Sequence, residues 1–265
     1  MVGALVHTKP LQMQPVTVDL AEVTNIAVTL RWTALTGTDT GGLAVDVDGY
    51  ELQWDQGSDT WDDLISLSAA DLVYVHSPPL SAGQTYSYRI RAVNEYGSGD
   101  SWSTETQVFT AQPPETPSTP SVSITDLYVK IQWTEPFLNY LPLTHYSILL
   151  VDTDGLFSEV TSLCDGSAQT TITNRYCLIA MSSFWDEPLS LAQDDLIEAK
   201  VVAHNARGAS DASPANTAGA TVENKPEKMG ALTQGSQTNH LQVHVTWATL
   251  EHPDNGSSAI TSYNL

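Results

Sequence analysis

Apolar and polar positions alternate with a period of two over much of this chain, and the stretch from Gly83 to Gly97 shows it most plainly. Tyr86, Tyr88, Ile90 and Ala92 fall on one side, and Ser87, Arg89, Arg91 and Val93 on the other, the pattern of a half-buried antiparallel strand. Asn94 and Gly97 tolerate the tight or left-handed backbone of a turn, so the strand ends there. The same grammar returns between Asp195 and Gly208, where Asn205 and Gly208 each lie 111 residues after Asn94 and Gly97 (205 − 94 = 208 − 97). A period of roughly a hundred residues is that of a whole β-sandwich domain, and is too long for a solenoid unit.

An earlier strand recurs as well. Val28 to Trp32, Val129 to Trp133 and Val243 to Trp247 alternate and end in tryptophan, and each is followed after a loop by Tyr50-Glu51-Leu52, Tyr146-Ser147-Ile148 or Tyr263-Asn264-Leu265. Trp32, Trp54, Trp133 and Trp247 fall on inward positions and are expected in the core, as are Leu241, Val243 and Val245. This order of tryptophan strand, tyrosine strand and a strand ending alanine, x, asparagine, x, x, glycine resembles the fibronectin type III family. The resemblance covers nearly the whole chain. It implies an all-β fold of tandem antiparallel β-sandwiches of immunoglobulin-like type. It also implies that Leu80, Gly83 and Tyr86 form that family's tyrosine corner, in which the hydroxyl holds the loop before the strand. In the second repeat Ile197 stands where Tyr86 should be, so that hydrogen bond is expected to be absent.

Val6, Phe109 and Val222 each precede a proline by four (Pro10, Pro113, Pro226), which places three equivalent strand ends. The expected organisation is a terminal strand of a preceding domain plus linker at 1–14, sandwiches at 15–113 and 114–226, and the first three strands of a further sandwich at 227–265. Such split ends describe either a window on a longer tandem array or domains completed by strands of other chains. Gln112 to Pro120 and Asn224 to Lys228 read as semi-rigid, proline-rich spacers.

Thirty-one acidic and 10 basic side chains give a formal charge of −21 over 265 residues. A phosphate backbone would be repelled, which excludes nucleic-acid binding as a leading role, and no apolar run is long enough to enter a membrane. Met1 to Pro15 has neither the basic nor the apolar region of a signal peptide. The charge keeps a repetitive β protein soluble and blunts edge pairing. Asp39 to Gly49 carries part of a calcium loop's spacing without the closing glutamate, and no metal or other cofactor is expected.

The two cysteines, Cys164 and Cys177, are 13 residues apart, a spacing that lets adjacent strands join them; two separate buried thiols are the alternative. A disulfide closing a loop of that size contributes about 3 kcal/mol in the chain-entropy account and points to an oxidising compartment. The string from Cys164 to Met181 is similar to an insertion in fibronectin type III repeats of ciliates and other microbial eukaryotes.

Catalytic patterns are missing: no Gly-x-Ser-x-Gly, phosphate-cradling glycine loop or Cys-x-x-Cys occurs, and His240 and His244 are roughly 13 Å apart on a strand, too far for one ion. Trp61, Trp102 and Trp185 lie in irregular segments among acids and hydroxyls and are the candidate contact aromatics, able to stack on sugars or anchor a protein. Ser101-Trp102-Ser103 is similar to half of the Trp-Ser-x-Trp-Ser element of cytokine receptors. Asn255-Gly256-Ser257 is the N-glycosylation candidate. These readings predict a non-enzymatic extracellular or cell-surface structural or adhesive segment of an appendage or filament. Its partners would be copies of itself, neighbouring repeats or glycans. An accessory region of a secreted carbohydrate-active enzyme and a receptor ectodomain are the alternatives.

Overall fold

Through the two sandwiches, the strands that the alternation marks form and bury their apolar face. In the computed structural model, which describes residues 6–77 and 80–264, the first sandwich contains β1 (Thr17–Val18), β2 (Val28–Arg31), β3 (Gly49–Trp54), β4 (Asp62–Ser68), β5 (Val73–His76), β6 (Thr85–Asn94), β7 (Gly97–Ser98) and β8 (Thr106–Phe109). One sheet has the order β1-β2-β5; the other runs β4-β3-β6-β7, with β8 also on β6, and every pairing is antiparallel. Leu30, Tyr50, Leu52, Tyr88 and Ile90 are fully buried between them. Trp32 meets Tyr50 edge to face at 5.5 Å.

The second sandwich repeats the plan with β9 (Ser121–Thr125), β10 (Tyr128–Gln132), β11 (Leu143–Val151), β12 (Phe157–Glu159), the short helix α1 (Gln169–Asn174), β13 (Tyr176–Ala180), β14 (Ala199–Asn205) and β15 (Gly208–Ala209). Its sheets are β13-β10-β9 and β12-β11-β14-β15. Trp133 meets Tyr146 at 5.2 Å, as Trp32 meets Tyr50. Cys164 and Cys177 are bonded and buried, with Cα atoms 5.8 Å apart, and tie the segment before α1 to β13. Contacts divide the chain into two compact units. One is Met1–Pro114 with Phe137–Leu143 and Asn205–Gly208; the other is Glu115–Pro136, Thr144–His204 and Ala209–Leu265.

The tyrosine corner forms as expected in the first sandwich, where the Ser81 N–H donates to the Tyr86 hydroxyl at 2.8 Å. In the second, Ile197 is buried and has no hydroxyl, yet the equivalent N–H, that of Ala192, is not left unpaired: it donates to Asp195 Oδ2 at 2.7 Å. The sequence pattern foresees the loss and misses the replacement.

Two expectations meet a different structure. The terminal strand expected within 1–14 falls partly on residues 1–5, outside those described; residues 6–14 form no strand, and Met13 is buried in the core of the first sandwich. Leu241 and Val243, expected inward, are 84% and 78% exposed. They lie before β17 (Val245–Thr246), which pairs only with β16 (Thr233–Gln234), and this two-stranded ribbon has no second sheet stacked on it among the described residues. Val245 and Trp247, also expected in the core, are only half-buried; Trp247 meets Tyr263 at 5.7 Å, while Leu265 lies outside the described residues.

His76 is buried on β5, with Nδ1 3.0 Å from the Tyr88 hydroxyl and its ring edge-on to Trp54 at 4.5 Å. Burial pushes its pKa from 6.5 down to about 4. The folded protein therefore keeps this imidazole neutral where the unfolded chain would bind a proton.

Replacing Tyr86 by Phe leaves the Ser81 N–H without its acceptor and is expected to cost about 1 kcal/mol, read as a lower urea midpoint at unchanged slope. Asp195→Ala is expected to cost a similar amount in the second sandwich, and an unmoved midpoint in either variant would refute the pairing. Stability supported by neutral His76 is present above pH 6.5 and is lost as the pH falls toward about 4. Thermal unfolding followed across that range should show the decline in the wild type and a flatter profile in His76→Gln; equal profiles would place the decline elsewhere.

Candidate functional site: the solvent face of the first sandwich

Residues that alternate with the core on β3 and β6 build the outer face of this sheet. Glu51 and Gln53 come from β3, and Arg89 and Arg91 from β6, with Glu51 paired to Arg91 and Gln53 to Arg89 in the strand register. Arg91 Nε donates to Glu51 Oε2 at 2.6 Å, and Ser98 Oγ donates to the other carboxylate oxygen at 3.0 Å. Arg89 Nε and Nη2 both donate to Gln53 Oε1, at 2.9 and 2.5 Å, and Gln53 Nε2 passes on to Asp63 Oδ1 at 2.8 Å. A bulge between Leu52 and Gln53 shifts β4 by a residue at this point. Trp61 stands immediately before β4 and Trp102 just after β7, so both aromatic rings reach the same face.

The two tryptophans meet on Arg89. Its guanidinium lies 4.1 Å from the Trp61 ring centroid and 5.0 Å from that of Trp102, and the Arg91 guanidinium lies 4.3 Å from Trp102. The order is Trp61, Arg89, Trp102, Arg91, rings and cations alternating. Each such contact contributes about 0.5–1 kcal/mol when exposed. Burial first, then the neighbouring Arg91 charge, lowers the Arg89 pKa, while Glu105 acts against both. Arg91 has a carboxylate partner. Arg89 has an amide partner and two aromatic faces, an arrangement that presents charge without neutralising it by an ion pair.

The third candidate, Trp185, belongs to the other unit and to different surroundings. Its Nε1 donates to the Glu223 carbonyl at 3.1 Å, and the ring helps line a cavity of about 530 Å³ together with Leu127, Tyr128, Met181 and Pro226. Asn255 sits in a turn in which its Oδ1 accepts from the Ser257 N–H at 3.0 Å, so the sequon's side-chain nitrogen takes no part in closing the turn. The Ser257 hydroxyl donates to Asp194 Oδ1 at 2.5 Å.

On the outer face of the second sandwich the His145 and His204 rings stack at 4.0 Å, 12° from parallel. Burial, then the His145 charge, lowers the His204 pKa. Among the described residues no three His, Cys, Asp or Glu side chains converge as metal ligands would, those of Asp39, Asp46 and Asp48 included. The candidate contact residues expected from the pattern are tryptophans alone, and the structure adds arginine to them. The signal was present in Arg89 and Arg91 themselves, two of the chain's five arginines placed two apart on the polar side of the most regular strand.

No curated protein matches the sequence at a significant level. Among solved structures the chain is similar to the chicken CNTN1 FN1-FN3 domains, at 16% identity over 80% of this chain and 67% of that one, with a TM-score of 0.44. It is also similar to the sixth fibronectin type III domain of human fibronectin type III domain containing protein 3, at 22% identity over 41% and 89%, with a TM-score of 0.32. Neither bears out the likeness to repeats of microbial eukaryotes. Residues 13–109 match the family model of the fibronectin type III domain, and the second sandwich repeats the strand order of the first, so the fold is that of tandem fibronectin type III β-sandwiches.

Proposed function

We propose that this chain is a non-enzymatic, extracellular structural or adhesive segment of a surface appendage or filament, and that the Trp61–Arg89–Trp102–Arg91 face mediates its contact with neighbouring copies. The observation that carries the reading is the alternating stack itself. Trp and Arg are the residues most enriched where protein contacts derive their energy, and a pre-stacked guanidinium loses little freedom when a partner covers it. The buried Cys164–Cys177 bond supports an oxidising, extracellular setting. Charge opposes indiscriminate association at a net −21, which favours a partner that meets this one face over general aggregation. A glycan is the other occupant such a face suits, since aromatic rings beside charged donors are groups that bind sugars.

Sedimentation of the full chain over a concentration series, alongside Trp61→Ala and Trp102→Ala, tests this. The expectation is reversible association weakened at least tenfold in both variants, with the cooperative unfolding transition retained. A wild type that stays monomeric throughout, or variants that associate as the wild type does, would overturn the copy-to-copy reading; tryptophan-dependent capture on a glycan array would transfer the face to sugar binding.

A further inference from the structure

Asn94 and Asn205, at the ends of β6 and β14, are both buried. In each, Oδ1 closes the following turn, accepting from the Tyr96 N–H and the Arg207 N–H at 2.8 Å. The two Nδ2 protons are then left for longer-range partners. Asn94 donates to the Thr8 carbonyl at 2.8 Å and the Thr40 carbonyl at 2.8 Å. Asn205 donates to the Gln112 carbonyl at 2.8 Å and the Leu138 carbonyl at 3.0 Å. In both cases one acceptor lies in the segment entering the sandwich and the other in the loop between its second and third strands, and all of these residues fall within one compact unit.

The backbone supports the same docking. Thr8 N–H donates to the Gly41 carbonyl at 2.8 Å and Leu11 N–H to the Asp39 carbonyl at 2.9 Å. A like pair occurs at the entry to residues 227–265, away from the Asn205 latch: Asn224 N–H donates to the Gly256 carbonyl at 2.9 Å and Glu227 N–H to the Asp254 carbonyl at 2.8 Å, again three residues apart on one side and two on the other. Glycine is required where the entering carbonyl comes closest. A Cβ at Gly41, where φ is +115°, would fall on the Thr8 oxygen and 2.5 Å from Asn94 Nδ2, and a Cβ at Gly256 would fall on the Asn224 oxygen.

We propose that these asparagines are linker latches. Each holds the segment entering its sandwich against the loop between the second and third strands, fixing the course of the incoming chain. Because the latch lies outside the sheet ladders, it opens before the sheets do.

Hydrogen exchange of the full chain carrying Asn94→Asp tests this. Aspartate keeps the Oδ1 acceptor that closes the turn to Tyr96 but has no protons for Thr8 and Thr40. The Thr8 and Leu11 amides should exchange at least tenfold faster, while Ile90 and Ala92 in β6 keep their protection. Gly41→Ala drives a methyl into the latch from the loop side and should give the same local pattern, and it carries the test if Asn94→Asp does not fold. Unchanged protection at Thr8 and Leu11 overturns the latch. So does acceleration spread evenly through β3 and β6, or failure of both variants to fold, since either result would make Asn94 part of what holds the sheets together.

Discussion

The contact between a tryptophan on one sheet and a tyrosine on the other sets the geometry from which the rest follows. Trp32 against Tyr50, and Trp133 against Tyr146, bring the largest apolar surfaces of each sandwich together edge to face. That contact fixes how far apart the sheets stand and which residues of β3 and β11 must look inward. Once Tyr50 and Leu52 are inward, strand pleating leaves Glu51 and Gln53 no choice but solvent. Pairing across the register then sets Arg91 and Arg89 opposite them. The cation–π stack on the outside is therefore positioned by the aromatic pair on the inside, through a period of two.

This dependence explains why the face can be specific without being part of the core. Trp61 and Trp102 enter from segments outside the ladder and owe their positions to two arginines that are themselves held by Glu51 and Gln53. Each contact is modest, but each ordered side chain removes freedom that its neighbour would otherwise lose alone. In the second sandwich the position equivalent to Arg89 holds Lys200, whose ammonium lies 4.0 Å from the Phe157 ring centroid, and the same sheet carries His145 and His204 stacked at 4.0 Å, so the repeat keeps a cation–π contact there but builds it from other residues.

Much of the fold was legible in sequence because alternation and recurrence are properties of the buried face, where packing leaves few residue types. The 111-residue register from Asn94 to Asn205 carries over to the structure in the turns that both residues close. The candidate site was legible only in part. Trp61 and Trp102 stood out by composition, but nothing in their spacing places them on one guanidinium, since that depends on a bulge at Leu52/Gln53 and on a turn after β7. Leu241 and Val243 show the opposite failure. Their alternation is that of a core strand, and pattern alone cannot say whether a second sheet is there to cover it.

Backbone polar groups at the ends of a sandwich impose a constraint that sequence patterns hide, because different side chains can meet it. The N–H at Ser81 is answered by a tyrosine hydroxyl from within the strand, and its counterpart at Ala192 by the carboxylate of Asp195, two residues nearer in sequence. The Ile90 N–H is met by Ser103 Oγ at 3.1 Å and the Val201 N–H by Ser213 Oγ at 3.0 Å, where the last strand departs from the ladder. At Ala199 the side chain of Asn216 takes the N–H at 2.8 Å and, through Nδ2, the Ile197 carbonyl at 2.9 Å, standing in for a strand partner altogether. The fold thus fixes which groups need partners and leaves open which residues supply them. A repeat can lose a signature residue such as Tyr86 and keep its architecture, provided that another side chain reaches the same N–H.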